Sequence, residues 1–130
     1  MQLKPIVEGR GEVTAIPKLL GRLFGAAQVT NIHVGSCIQI KRDRFDKAWD
    51  LQKWLHEVKL LGAQGALIIY DADDDCPGVA ADRTRLALSE YNGPVRYQVA
   101  VANKEFEAWF LAALPSLRGI QGIWLRPWLT

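Results

Sequence analysis

The sequence predicts one α/β domain in which a mostly parallel sheet is flanked by helices. Strand-like and helix-like segments alternate along the 130 residues, an order that is typical of parallel sheets with helical connections. Residues 66–70 form a continuously apolar run, as expected for a strand buried on both faces of such a sheet. The domain is expected to span residues 1–118, followed by a short apolar tail at residues 119–130.

The first part of the chain is predicted to contain a strand, a helix and an extended stretch. Residues 3–7 have a short apolar strand pattern. The helix after them is predicted to begin near residues 12–14, because Pro17 is tolerated in the first turn of a helix but not in its interior. Gly25 is expected to end it. Residues 29–40 fit an extended or broken strand.

The rest of the chain continues the alternation. Apolar residues at helical spacing predict a helix over residues 44–61, directly before the buried strand. A further helix is predicted over residues 80–91 and an alternating strand over residues 95–101. A last helix is expected to start near Phe106 and to end at Pro115.

Composition excludes several classes of protein. Hydrophobic residues make up 49% and charged residues 23% of the chain, which is a globular balance and not that of a disordered protein. The net charge of +2 is too small to indicate a nucleic-acid binder by itself. The longest interior stretch without a charged residue or histidine, residues 60–70, is far shorter than the roughly 20 residues of a membrane helix. No signal-peptide pattern opens the chain.

Two cysteines, Cys37 and Cys76, are too few for a disulfide framework. They indicate free thiols in a reducing compartment, so a cytoplasmic location is expected. Cys76 lies beside a run of acids and is interpreted as a packing residue.

Carboxylates are concentrated where strands are predicted to end. Four of them fall within five positions, namely Asp71, Asp73, Asp74 and Asp75. Glu8 follows the first strand, and carboxyl ends of parallel strands are where ligands bind in such sheets. If the two strands are neighbours, Glu8, Asp71 and Asp73 converge as hard oxygen ligands for Mg²⁺ or Mn²⁺. Glu12, one helical turn from Glu8, could serve a second ion in a two-metal phosphodiester site.

The sequence resembles a known family in four blocks. These are VEGRGE at residues 7–12, IPKLL at 16–20, IYDADDDCP at 69–77 and ANKEFEAWFLA at 102–112. They are similar to an uncharacterised bacterial Toprim-like family with a V-E-G-x-x-E start, a D-x-D-x-D-C-P centre and an E-x-E-A-W-F-L helix. The resemblance covers residues 5–118. It implies the Rossmann-like Toprim fold shared by topoisomerases, bacterial primases and overcoming-lysogenisation-defect nucleases.

The resemblance also implies site residues. Glu8, Asp71 and Asp73 match the glutamate and D-x-D pair that hold Mg²⁺ for phosphodiester chemistry in Toprim proteins, and Asp75 extends the D-x-D as a further ligand. Glu12 matches the second acid of the related nucleases.

A later acidic position in the family falls on Glu105 and Glu107, with Lys104 beside them as a transition-state cation. The two glutamates point to different sides of a helix. Glu107 is preferred as an assisting catalytic residue because the E-A-W-F-L block is centred on it.

The resemblance further implies a partner, because such proteins accompany SMC-like or ABC-type ATPases in antiphage defence modules. The sequence is therefore interpreted as the nuclease-type subunit of such a complex. A non-catalytic Toprim scaffold that assembles with the ATPase stays open as the alternative, since the chain is shorter than the family pattern. Trp124 and Trp128 in the tail would supply an interaction surface for a hetero-complex or oligomer.

Basic residues suggest a nucleic-acid contact. Together with Arg10, Lys18 and Arg22, a basic run could follow a phosphate backbone; it consists of Lys41, Arg42, Arg44 and Lys47. The same run is also compatible with the solvated start of a helix.

Three other interpretations of the aspartate run stay open. It could be a solvated loop of capping residues. It could be a calcium loop, although Cys76 occupies the position where glycine is needed and a strand replaces the first helix. It could also be a phosphatase of the haloacid-dehalogenase type, although that D-x-D normally follows the first strand.

Overall fold

The computed structural model describes residues 1–102, so the predicted last helix and the tail lie outside the described residues. Five strands and three α-helices alternate along this part of the chain. In order they are β1 (Gln2–Val7), α1 (Arg10–Ala26), β2 (His33–Val34), β3 (Ile38–Gln39), α2 (Ala48–Leu60), β4 (Gly65–Asp71), α3 (Pro77–Ala87) and β5 (Arg96–Ala102). A 3₁₀ turn (Arg42–Arg44) precedes α2. Within residues 1–102, no helix is long and apolar enough to cross a membrane.

All strand pairs in the sheet are parallel, which confirms the predicted α/β architecture. The order is β2–β1–β4–β5, and β3 also pairs with β1. Both short strands pair with the same edge of β1. Strand β2 pairs at Gln2, and β3 pairs further along at Ile6. They are the two pieces of the broken strand predicted over residues 29–40.

Helices cover the two faces of the sheet. On one face, Ile16 and Leu19 of α1 pack with Ile69 of β4. On the other face, α2 and α3 pack around Ile68 and Tyr70 of the same strand. The neighbouring strands β1 and β4 therefore lead into helices on opposite faces. This arrangement opens a crevice between their carboxyl ends, where ligands bind in open α/β sheets.

The predicted start of α1 is wrong. The helix begins at Arg10, which leaves Pro17 in its interior. Proline there removes the hydrogen bond to the Val13 carbonyl group, a cost that ends many helices. Ile16 and Leu19, on either side of Pro17, are buried at 0% and 4% exposure. Their burial stabilises the helix through the proline position.

Two other helix boundaries differ from the prediction. The helix expected over residues 44–61 begins at Ala48, because the Arg42–Arg44 turn is a separate element. The helix expected over residues 80–91 is Pro77–Ala87. Proline at a first helical position costs no hydrogen bond and is pre-organised for the helix, which explains the earlier start.

Candidate functional site

Glu8 and Asp71 lie at the carboxyl ends of neighbouring strands. Glu8 directly follows β1, and Asp71 is the last residue of β4. The end of β1 is fixed on its other side, where the Gln39 side-chain amide donates to the Glu8 carbonyl oxygen at 3.1 Å. The Ile40 N–H donates to the Val7 carbonyl oxygen at 2.9 Å. The crevice between the strands thus holds one acidic residue from each side.

The Glu8 carboxylate lies among other charges. Partial burial raises the pKa of Glu8, and the negative charges of Asp73 and Glu12 raise it further. The Arg42 guanidinium and a hydrogen bond with the Asp71 backbone lower this pKa, but the net shift is upward. The acids after β1, in the first turn of α1 and after β4 therefore interact electrostatically with one another.

A tight turn carries the remaining aspartates. The Asp75 N–H donates to the carbonyl oxygen of buried Ala72 at 2.9 Å. Asp73 has φ of 52°, a left-handed conformation that Asp and Asn adopt more readily than most residues. Asp73, Asp74 and Asp75 are exposed. Only residues 72–76 separate β4 from α3, which is too short for the 12-residue calcium loop.

Glu12 folds back over the start of its own helix. Its side chain is in the first turn of α1 and the residue is only 7% exposed. A Cβ atom at Gly9 would overlap the Glu12 Oε2 atom and lie 3.1 Å from its Cδ atom. Glycine at position 9 therefore leaves the space that this carboxylate occupies. As an acid in the first turn, Glu12 also favours the helix dipole.

The donor chemistry of this cluster fits a hard divalent cation. Glu8, Glu12 and Asp73 offer carboxylate oxygens whose mutual repulsion a cation would relieve. Among residues 1–102, no three carboxylate, thiol or imidazole groups lie close enough to enclose an ion by themselves. Mg²⁺ is usually held by one or two carboxylates together with waters and substrate phosphates, so an open arrangement suits it.

A cleft of about 650 Å³ adjoins the acids. Its lining combines five aspartates with three basic side chains: Arg42, Asp43, Asp46, Lys47, Ala72, Asp73, Asp74, Asp75 and Arg83. The Arg42 Nη2 atom lies 3.2 Å from Asp75 Oδ2. The guanidinium carbon of Arg42 is 4.7 Å from the centre of the Tyr70 ring. Arg42 is therefore held between the aspartate turn and the end of β4.

A buried polar network lies beneath this cleft. The Tyr70 and Thr84 hydroxyl oxygens are 2.7 Å apart, and Thr84 donates to the Phe45 carbonyl oxygen at 2.7 Å. The Tyr70 hydroxyl is also 2.8 Å from the Ala80 carbonyl oxygen. Tyr70 and Thr84 are exposed by only 2% and 0%. The network joins β4, α3 and the segment before α2.

The other predicted contact residues are more scattered. Arg42 and Lys47 line the cleft, whereas Lys41 and Arg44 are exposed beside it, and Arg44 faces Asp50 at 3.6 Å. Arg10 and Lys18 are exposed on α1. Lys104, Glu105 and Glu107, like Trp124 and Trp128, lie outside the described residues.

Sequence reasoning missed Arg83 as a cleft residue and Thr84 as a buried residue that anchors α3. Nothing in the sequence distinguishes Arg83 from Arg85 two positions later. A tyrosine at the end of a buried strand does need a polar partner for its hydroxyl, and that signal could have directed attention to Thr84.

Comparison of the chain with protein-family models, curated proteins and solved structures gave no match. The Toprim-like assignment accordingly rests on the four sequence blocks.

Proposed function

We propose that this chain is the nuclease-type Toprim subunit of an ATPase-associated antiphage defence complex and cleaves phosphodiesters with Mg²⁺ or Mn²⁺. The observation that supports the proposal is that Glu8 and Asp71 stand at the ends of the neighbouring parallel strands β1 and β4, with Asp73 and Glu12 close enough to raise the pKa of Glu8. Phosphodiester cleavage needs a cation that neutralises charge on the reacting phosphate, and an acidic cluster at a strand-end crevice can hold one.

Each acid has a separate part in the proposed reaction. Glu8, Asp71 and Asp73 would share in holding the ion together with waters and substrate phosphates, and the bound ion would supply a polarised phosphate oxygen and an acidified water. Asp75, paired with Arg42, would support the site from the turn. Glu12 would orient a water from its place over Gly9. The resemblance gives Glu107 a similar assisting part.

The resemblance also supports the proposed partner, an SMC-like or ABC-type ATPase. Contact with it would involve the apolar tail with Trp124 and Trp128. Two free thiols, Cys37 and Cys76, support a cytoplasmic location.

One observation favours a second candidate, a non-catalytic scaffold that assembles with the ATPase. Asp75 already pairs with Arg42, and within the described residues no three ligands enclose an ion. In this alternative the acids pair with basic side chains of the chain or of the partner.

A cleavage assay separates the two candidates. Supercoiled plasmid and single-stranded DNA are incubated with the purified chain and Mn²⁺, alone and with any ATPase that co-purifies with it. The nuclease proposal expects cleavage that Asp71→Asn or Asp73→Asn abolishes and that the control Asp82→Asn, an exposed position on α3, retains. Cleavage unaffected by these two variants contradicts it. Absence of cleavage with an intact ATPase complex that depends on Trp124 and Trp128 favours the scaffold.

A further inference from the structure

Three cationic side chains from three different segments surround the cleft beside the acids. Arg42 comes from the 3₁₀ turn, Lys47 directly precedes α2, and Arg83 is on α3. We propose that these three residues form a phosphate-binding seat for a nucleic-acid strand, which they hold against the acidic cluster. This inference rests on the proposed function and deepens it, because it names the side chains that bind the substrate.

Buried contacts fix the segments that carry the three cations. Thr84, next to Arg83, donates to the carbonyl oxygen of Phe45, which lies between Arg42 and Lys47 in the chain. Thr84 also contacts the Tyr70 hydroxyl group. Because these polar atoms are buried, breaking the contacts would leave them unsatisfied. The cations are thus presented by a pre-organised frame, which lowers the entropic cost of ligand binding.

Arg42 has the geometry of a pre-positioned phosphate ligand. Its guanidinium group lies over the Tyr70 ring at 4.7 Å, and one of its nitrogen atoms contacts Asp75 at 3.2 Å. A guanidinium group has five N–H donors in a planar fork that matches phosphate oxygens. About a third of the Arg42 side chain is exposed, so the group is restrained but reachable from the cleft.

The charge balance of the cleft indicates how a phosphate group would enter. Five aspartates and three basic side chains line it, so an anion alone would meet an excess of negative charge. A divalent cation held by the acids would reduce that excess. The three basic side chains would then bind phosphate oxygens, and we expect strand binding to require the cation.

The spread of the cations favours a strand over a single phosphate ion. Three separate segments contribute them around a cleft of about 650 Å³, a volume within the range of ligand sites. Contacts to more than one phosphate group make binding depend steeply on salt concentration. Inorganic phosphate should therefore compete poorly with an oligonucleotide.

Fluorescence anisotropy with a labelled single-stranded oligonucleotide tests the seat. Ca²⁺ replaces Mg²⁺ so that the strand stays intact, and the full chain is used. Arg42→Gln and Arg83→Gln should each weaken binding by about tenfold and reduce the salt dependence by about one phosphate contact. Arg85→Gln is the matched control on the same helix, because Arg85 pairs with Asp82 and does not line the cleft.

Calorimetric titration of the same variants with Mn²⁺ separates the two proposals. If the metal binds but Arg42→Gln and Arg83→Gln bind the strand as Arg85→Gln does, the seat is wrong and the metal-dependent function stands. If the metal binds and the wild-type chain binds no strand, the seat is equally wrong. If the wild-type chain binds no metal, the proposed metal-dependent function is wrong, whatever the variants do to strand binding. Denaturation curves verify that every variant is folded.

Discussion

The Tyr70 and Thr84 hydroxyl oxygens lie 2.7 Å apart at the base of the cleft, although the two residues are 14 positions apart in the chain. Thr84 also reaches the Phe45 carbonyl oxygen at 2.7 Å, and Tyr70 reaches the Ala80 carbonyl oxygen at 2.8 Å. Tyr70 donates to the Ala80 carbonyl oxygen and Thr84 donates to the Phe45 carbonyl oxygen, while either hydroxyl group can be the donor between the two side chains.

Replacing this buried threonine should destabilise the fold. Thr84→Val keeps the shape but leaves the Phe45 carbonyl oxygen without its donor, so the free energy of unfolding should fall by about 1–3 kcal/mol. Urea denaturation measures it. Tyr70→Phe and the double variant complete a mutant cycle, which should show a coupling of at least about 0.5 kcal/mol. Additive effects of the two substitutions would mean that the hydroxyl groups do not interact.

Gly9→Ala should disturb Glu12 and leave the backbone intact. Gly9 has φ of −102°, which alanine adopts freely, but the new Cβ atom would displace the Glu12 carboxylate. We expect weaker Mn²⁺ binding by calorimetry, with the free energy of unfolding changed by less than about 1 kcal/mol.

Gly11→Ala is the control for that substitution. A Cβ atom there meets nothing within 4 Å, so alanine should stabilise the helix by roughly 0.5–1 kcal/mol and leave metal binding unchanged. Equal metal affinity in the two variants would show that Glu12 has no part in the site.

Glu8 should make the metal-free protein less stable as the pH rises. Its pKa is raised in the folded protein, chiefly by burial, so the folded state binds the proton more tightly than the unfolded chain. The associated stability is complete below the ordinary pKa of glutamate and is lost as the pH rises through the raised value. In EDTA, Glu8→Gln should therefore be more stable than the wild type near pH 7, with the difference shrinking toward pH 4. A stability difference between the two proteins that grows as the pH falls would contradict this pH dependence.

The two thiols should react at very different rates. Burial raises the pKa of Cys37 to about 11, so at pH 8 its thiolate fraction is about a hundredfold below that of a thiol of ordinary pKa. Cys76 is exposed, so its interpretation as a packing residue is wrong. Iodoacetamide should modify Cys76 first, as mass spectrometry of tryptic peptides would show. Earlier modification of Cys37 would mean that its surroundings are more open.

The fold could be predicted from the sequence because its strands have strong local signals. The apolar run around Ile68 requires burial on both faces, and alternation with helices requires parallel connections. The start of α1 could not be predicted, since the rule for Pro17 is local whereas the burial of Ile16 and Leu19 depends on the assembled sheet.

The site was predictable only in part, for a similar reason. The rule that strand ends share one edge places Glu8 near Asp71 only because β1 and β4 are neighbours in the sheet. The partners of Tyr70 and the difference between Arg83 and Arg85 depend on how α3 is rotated against the sheet. Helix rotation is set by tertiary contacts such as that of Thr84 with Phe45, which no short segment of sequence encodes.

Calorimetric titration of the purified chain with Mg²⁺ and Mn²⁺ tests the central claim, that the acids at the ends of β1 and β4 hold a divalent cation. Asp73→Asn is the variant of choice, because asparagine also tolerates the left-handed conformation at that position. Asp82→Asn is the control. We predict saturable binding by the wild type and the control that Asp73→Asn loses. Equal binding by all three proteins, or none by the wild type, would contradict a metal site at this crevice.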